Sequence, residues 1–304
     1  MNILLKKNNL YADLSLLLVA IIWGSGFVAS KNALNSMPPI YINAIRFTLP
    51  FIILSTIFWK KVKIINSKDL KSGGIIGLFL FIAFATQTIG LKYTTASKQA
   101  FLTGINVVIV PFLFWAIKNK KPDRYNMIAT FLCLIGIGFL TLQENFSINL
   151  GDGLTLICAL FFACHIVSIG VFAENHDPII LTIIQFGVAA LLSIICALSF
   201  ENMPKIITTK SFYSILYLAI FSTLIAFLIQ NIAQKYTTPT HAAIILSLES
   251  VFGCLLSVLL LRDLFTIKMV IGCTMVFAAI ITAETKWKFM LSFWKTNKEN
   301  LTPK

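Results

Sequence analysis

Ten nearly continuous apolar stretches follow one another along the chain. Each is about as long as a bilayer core is thick. A helix rises about 1.5 Å per residue, so crossing about 30 Å of hydrocarbon takes about 20 residues. The stretches cover approximately 12–34, 39–59, 73–92, 96–117, 125–143, 153–173, 178–200, 211–234, 240–261 and 266–284. Between them lie short breaks carrying turn formers and charge: Met37-Pro38-Pro39, Lys60 to Lys71, Lys118 to Arg124, Glu144 to Asp152, Glu174 to Pro178, Glu201 to Lys210, Lys235 to Thr240 and Arg262-Asp263. No break is long enough for a soluble domain. Only 12% of the 304 residues are charged and 58% are hydrophobic. Soluble domains carry about 25% charge, so lipid must be the solvent. The expected fold class is an all-α integral membrane protein with ten transmembrane helices. The first stretch reads as a retained helix and not a signal peptide. Lys31-Asn32-Ala33 offers no small-residue cleavage site, and many spans follow it.

The net charge of +13 is distributed as cytoplasmic loops are, and not as a nucleic-acid-binding face. Lys6 and Lys7 precede the first span. Lys60, Lys61, Lys63, Lys68 and Lys71 follow the second, and Lys118, Lys120, Lys121 and Arg124 follow the fourth. The loop after the fifth span carries Glu144 and Asp152 without a base, while Lys286, Lys288, Lys295, Lys298 and Lys304 mark the tail. Both termini are therefore expected in the cytoplasm, with the chain in the cytoplasmic (inner) membrane. The loop bearing Glu174 and Asp177 runs against this bias. Six cysteines (133, 158, 164, 196, 254 and 273) lie inside apolar stretches without C-x-x-C spacing. They read as packing residues, and no disulfide framework, metal site or cofactor is expected.

An internal repeat constrains the architecture further. Lys92-Tyr93-Thr94-Thr95 recurs as Lys235-Tyr236-Thr237-Thr238, 143 residues later, and Gln87/Gln230 and Ala100/Ala243 share that offset. Earlier in each half the offset is 139, matching Asp13 with Asp152, Pro39 with Pro178 and Phe47 with Phe186. One small insertion between spans 2 and 3, or 7 and 8, reconciles the two offsets. The expected units are thus 1–143 and 144–304, five helices each. An odd number of helices makes the second unit enter from the opposite side, so the repeats are inverted about an axis in the membrane plane. That arrangement builds a central site with two alternative openings.

Polar groups inside a span are expensive, so each needs a reason. Glu249, mid-span in Ser247-Leu248-Glu249-Ser250, is suited to carry a coupling proton or bind a cation; alternatively it is a neutral acid bonded to another helix. Arg46, two turns into the second span, suits a substrate carboxylate held bidentately, or it braces helix ends. Its repeat partner is Gln185. Asn106 is the counterpart of Glu249 and either completes a central site or bonds neighbouring helices. His165 is a proton relay or a packed neutral ring. Gln87 and Gln230 recur at equal positions and suggest a shared structural or gating role. Trp23 and Tyr93 either line a cavity or anchor at the interface. Pro111 interrupts the fourth span and either kinks it, freeing a backbone carbonyl, or is a harmless bend. Gly24, Gly26, Ala29, Ser30, Gly136, Gly138 and Gly253 read as close-approach positions between helices. Hydrolase, metalloprotease, P-loop and dinucleotide motifs are missing from the sequence, as is the arginine ladder of a voltage sensor.

These residues resemble the drug/metabolite transporter superfamily, EamA type. The resemblance rests on Trp23-Gly24-Ser25-Gly26, on Arg46-Phe47, and on Gly90-Leu91-Lys92-Tyr93-Thr94-Thr95-Ala96-Ser97. Phe101-Leu102-Thr103-Gly104 with Pro111, and Leu248-Glu249, extend it across both halves. Ser250 stands where the family often has proline, and Arg262-Asp263 where it has glycine-glutamate. The resemblance implies ten helices, cytoplasmic termini, and a central cavity lined mostly by spans 1, 3, 4, 6, 8 and 9. It also implies carriage of small metabolites, often export of amino acids or related compounds. The expected function is a secondary transporter acting by alternating access as an exporter, and not an enzyme. Its partners would be a small-molecule substrate, membrane lipids and protons as coupling ion. The alternatives are a membrane-embedded enzyme acting on lipid, or a channel or sensor.

Overall fold

In lipid every backbone group must be bonded within the chain, and a helix does this by itself. The computed structural model describes residues 2–94, 96–141, 149–204, 206–261 and 266–286, and its regular elements are all helical. They begin with α1 (Asn2–Ala33), α2 (Pro39–Ile57), α3 (Trp59–Val62), α4 (Ser67–Gly90), α5 (Ala96–Gly104), α6 (Asn106–Lys118) and α7 (Arg124–Thr141). There follow α8 (Leu150–Phe172), α9 (Pro178–Phe200), α10 (Thr209–Tyr217), a π-helical turn (Leu218–Ile225), α11 (Ala226–Ala233), α12 (Pro239–Leu246), α13 (Leu248–Leu261) and α14 (Ile267–Thr285). Thr95, the break at Glu144, the Arg262-Asp263 break and the tail lysines from Lys288 lie outside the described residues.

Among the described residues, six segments are long and apolar enough to cross a membrane: Leu10–Ala33, Pro39–Ile57, Ser67–Gly90, Leu150–Phe172, Pro178–Phe200 and Thr209–Ala233. Leu102–Lys118, Arg124–Phe139 and Ile267–Ala283 are shorter apolar helices. Local chemistry fixes where many of them start. Pro39, Pro178 and Pro239 occupy first-turn positions, where a missing N–H costs nothing. Asn66 with Asp69, and Asn149 with Asp152, form reciprocal capping boxes on α4 and α8. The first of these boxes starts α4 at Ser67, six residues ahead of the apolar stretch.

Two stretches expected to be continuous are split, the fourth at Ile105 and the ninth at Ser247. Each break is a tightened turn, with Val108 N–H donating to Ile105 C=O at 2.9 Å and Ser250 N–H to Ser247 C=O at 3.2 Å. Ser247 competes for backbone partners, donating its hydroxyl to the Ile244 carbonyl at 2.5 Å while meeting Cys133 Sγ of α7 at 2.8 Å. At the first break, Gly104 and Asn106 are weak helix formers flanking Ile105. Pro111 lies buried within α6, so the interruption falls six residues before the proline.

The change in repeat offset is likewise not a simple loop insertion. Helix α9 has 23 residues against 19 in α2. The linker to the next N-cap is one residue shorter, from Phe200 to Thr208 against Ile57 to Asn66. The residue still unaccounted for lies in the segment holding the π turn, which has 25 residues against 24 in α4.

Lysine–carboxylate and imidazole–carboxylate pairs gather at the end of the bundle where α1 starts. Lys61 pairs with Asp177, Lys118 with Glu174 at 2.7 Å, Asp69 with His176 at 2.7 Å, Asp13 with His241 at 3.2 Å and Asp123 with Lys286 at 2.6 Å. Glu174 and Asp177 are therefore neutralised by lysines of the neighbouring loops, which explains how an acidic loop shares that end with basic ones. Burial alone would push the Asp177 carboxyl up. The Lys61 and Ile179 N–H hydrogen bonds and the Lys61 charge outweigh it and hold the group below the ordinary carboxylate range.

Between the helices, Phe47, Phe84, Phe186 and Phe227 interlock through tilted and edge-to-face contacts of 5.3–6.3 Å. Helix α1 meets α13 at Gly24 and Gly253: a Cβ on Gly24 would lie 2.7 Å from the Gly253 nitrogen. Lipid gives helices no hydrophobic drive to associate, so such close approach is what dispersion needs.

Candidate functional site

A cavity of about 810 Å³ of empty space, open mouth included, lies at the centre of the bundle. Trp23, Gly26, Phe27 and Ser30 of α1 line it, with Arg46 of α2, Phe84, Gln87 and Thr88 of α4, and Leu91 at the C-cap of α4. Gln99 and Thr103 come from α5 and Asn106 from α6. Phe162 and His165 come from α8, Ser222 from the π turn, Phe227 and Gln230 from α11, and Ser247 and Glu249 from the break in the ninth stretch.

Seven of the eight residues singled out in the sequence reach this cavity, and Tyr93 does not. Tyr93 sits in the turn after α4, half exposed, its N–H bonded to the Gly90 carbonyl. That is the position of an interfacial aromatic.

Arg46 is 4% exposed. Its Nε donates to Thr223 Oγ1 at 2.7 Å, one Nη donates to Ser222 Oγ at 3.1 Å, and the guanidinium lies 4.1 Å from the Phe84 ring centroid. Among the described residues no carboxylate pairs with it. Guanidinium has five N–H donors, so three remain for a ligand or water.

Glu249 lies in the first turn of α13, directly after the break, and Asn106 opens α6 directly after the other break. Neither side chain has a protein hydrogen-bond partner among the described residues, and the same holds for the Gln87 amide. The Gln87 backbone carbonyl accepts from Gln99 Nε2 at 2.6 Å. Gln230 donates to Gln234 Oε1 at 2.9 Å, and its own buried Oε1 has no partner. His165 Nε2 meets Gln185 Oε1 at 3.0 Å and packs edge-on to Phe227. Gln185, the repeat counterpart of Arg46, thus supports His165 from behind and does not line the cavity. Trp23 donates its indole N–H to the Ser222 carbonyl at 2.9 Å and lies 5.0 Å from Phe227.

A reading that looked for intramembrane charges, amides and imidazoles missed Ser222, Thr223, Gln99 and the phenylalanine wall. Adjacent hydroxyls inside an apolar helix, Ser222-Thr223, were the available signal. Among the described residues no three His, Cys, Asp or Glu side chains converge as a metal site. The cavity therefore offers one cation, one carboxyl group, several amides and a continuous aromatic wall. It is equipped to bind a small molecule that is polar at one end and apolar at the other.

Comparison with known proteins bears on what such a cavity serves. The model of the EamA-like transporter family matches residues 10–142 and, separately, 149–284. An uncharacterized transporter of Archaeoglobus fulgidus is 36% identical over 277 residues, 91% of this chain and 87% of its own. The uncharacterized transporter YoaV of Bacillus subtilis is 22% identical over 276 residues, 88% and 94% of the two chains. A crystal structure of a protein 17% identical in sequence has a TM-score of 0.75, covering 92% of this chain and 98% of its own, and shares the fold. A multi-pass helical bundle, a central binding cavity and a family match over both halves converge on one assignment: the chain belongs to the EamA-like transporter family of the drug/metabolite transporter superfamily.

Proposed function

We propose that this membrane transporter is a secondary carrier that exports a small metabolite, an amino acid or a related compound, across the cytoplasmic membrane by alternating access, and that it catalyses no chemical reaction. The observation that carries this reading is a cation and a carboxyl group that share the cavity without a partner. Arg46 and Glu249 line one central space, and among the described residues neither has an oppositely charged partner. A zwitterion supplies the missing partners, its carboxylate to the Arg46 fork and its ammonium to Glu249. The aromatic wall then takes the side chain. Asn106, Gln87 and Gln230 supply neutral hydrogen bonds, and Trp23 shapes the wall. Glu249 or His165 carries the coupling proton. Tyr93 stays at the interface.

The alternating-access part rests on two inverted units, 1–143 and 144–304, whose ten spans count each split stretch once. Two observations support it. The family match restarts at the second half. Packing contacts also recur in pairs: α4 on α8 and α1 on α10–α11, then α1 on α12–α13 and α8 on α5–α6, with α2–α9 and α7–α14 pairing across the axis. The charged clasp at the end where α1 starts supports cytoplasmic termini, because it draws the lysine loops together.

The test is transport into proteoliposomes under an imposed pH gradient, with a mixed metabolite pool and mass spectrometry of the lumen against protein-free liposomes. Gradient-dependent enrichment of amino acids is the expected result. Turnover of lipid, or single-channel currents in a planar bilayer, would replace the carrier reading.

A further inference from the structure

The eighth span contains a structural asymmetry that the repeat does not require. In the first half, α4 runs as a regular helix from its cap Asn66 to Gly90. In the second half, the caps Asn66 and Thr208 stand 142 apart, whereas Gln87 and Gln230 stand 143 apart. One residue has been inserted between them, and the π turn Leu218–Ile225 lies within that interval. π-helical geometry is rare and is found frequently at functional sites. Here its wider turn brings the consecutive side chains of Ser222 and Thr223 closer in azimuth than the roughly 100° separation of an α-helix. Both hydroxyls then reach the same guanidinium. Their counterparts in α4 fall among Phe79, Leu80 and Phe81, none of which carries a hydroxyl, and the counterpart of Arg46 is bonded to His165 instead. The clamp therefore belongs to one half only. Trp23 pins the turn from α1 through the Ser222 carbonyl.

We propose that the π turn is a positioning device: Ser222 and Thr223, pinned by Trp23, hold the inner edge of Arg46 so that its outer edge reads a carboxylate in the cavity. This rests on the carrier reading above for what is bound, but not for how Arg46 is held. Thr223 is the residue to probe, because Thr223→Val keeps its shape and removes its hydroxyl, while Thr223→Ser restores the hydroxyl.

Two measurements test the proposal. First, thermal shift of purified protein is measured with the twenty amino acids and with their primary carboxamides. Wild type is expected to favour acids over amides, T223V to lose at least about tenfold of that preference, and T223S to keep it. A wild type with no preference for acids refutes Arg46 as the carboxylate reader. A T223V protein that keeps the preference refutes the positioning role alone. Second, phenylglyoxal labelling of Arg46 is followed by mass spectrometry, with Arg124 as internal control, and needs no ligand. Labelling several-fold faster in T223V and Trp23→Phe, and unchanged in T223S, is expected. Equal labelling in all four proteins overturns the clamp, whatever is transported.

Discussion

Alanine at Gly24 tests the geometry beside the site most directly. A Cβ there would sit 2.7 Å from Gly253 N, 2.8 Å from Glu249 O and 2.8 Å from Phe252 Cβ. The first two are backbone atoms of α13, so no rotamer change relieves the contact. Carbon contacts settle near about 3.5 Å, so the helices must part by roughly 0.8 Å. Overpacking of this kind costs about 1–3 kcal/mol, and Gly→Ala in a helix returns up to about 1 kcal/mol. The net loss is about 1–2 kcal/mol, or roughly 2–8 °C in Tm. Because the displaced backbone carries Glu249, transport should fall with stability. Gly253→Ala is a sharp comparison: its Cβ meets Gly24 O at 3.3 Å, which a few tenths of an ångström accommodates. Gly74→Ala, with nothing within 4 Å, should be neutral or stabilising. Differential scanning fluorimetry in detergent and proteoliposome uptake measure both effects. A G24A protein that melts and transports like wild type would refute the reasoning, as would G253A being the worse of the pair.

Three further outcomes follow from the same contacts. Glu249→Gln should slow gradient-driven uptake at least about tenfold and flatten its pH profile; an unchanged rate with an unchanged profile would remove the titrating role. Arg46→Lys should raise the half-saturation concentration for a carboxylate substrate about tenfold with little effect on maximal rate, because an ammonium cannot bond Thr223 and Ser222 and still present a fork; equal values for both proteins would remove the fork. At the clasped end, Asp123 resembles Asp177: burial raises it, but Lys286 and the Asn126 N–H hold it below its ordinary range. The contribution of both pairs is thus present above the unfolded value of about 3.9 and is lost as pH falls through the lower folded value. Asp177 and Asp123 are 34% and 38% exposed, so D177N and D123N should each cost under about 1 kcal/mol at neutral pH. High salt should abolish the difference, and a gap in Tm that persists in 1 M NaCl would contradict this.

The all-helical membrane fold was readable because it is written in many residues at once, in apolar length and in lysine-bearing loops. Arg46, Asn106 and Glu249 were readable because a polar group in hydrocarbon is costly wherever it points. What stayed hidden depends on direction. Nothing in the composition distinguishes Tyr93, which faces outward, from Trp23, which faces the cavity. The break at Ser247 comes from a hydroxyl choosing its own Ile244 carbonyl, and serine makes that choice only in some helices. Pro111 drew attention as a helix breaker, yet it fits within α6 while Gly104, Ile105 and Asn106 turn the chain. The π turn was hidden in a single residue of offset that a loop insertion seemed to explain.

These irregularities have a common location. A helix in lipid cannot leave backbone groups unbonded, so departures from regular geometry survive only where protein or a water-filled space supplies the missing partners. The breaks at Ile105 and Ser247 and the π turn all border the same cavity. The first two fall at nearly equivalent repeat positions and set Asn106 and Glu249 at the starts of their half-helices. They are what two related halves would share around a central axis. The third has no counterpart and serves Arg46. Shared features suit the alternating access proposed above, which would present the same centre to both sides. An unshared feature suits recognition, since a substrate with a carboxylate at one end has no twofold symmetry to match. The cavity thus divides by origin: a symmetric frame with a neutral amide opposite a carboxyl group, and an asymmetric clamp that fixes one cation. Changes to the frame should alter rate for every substrate, and changes to the clamp should alter which substrates are taken.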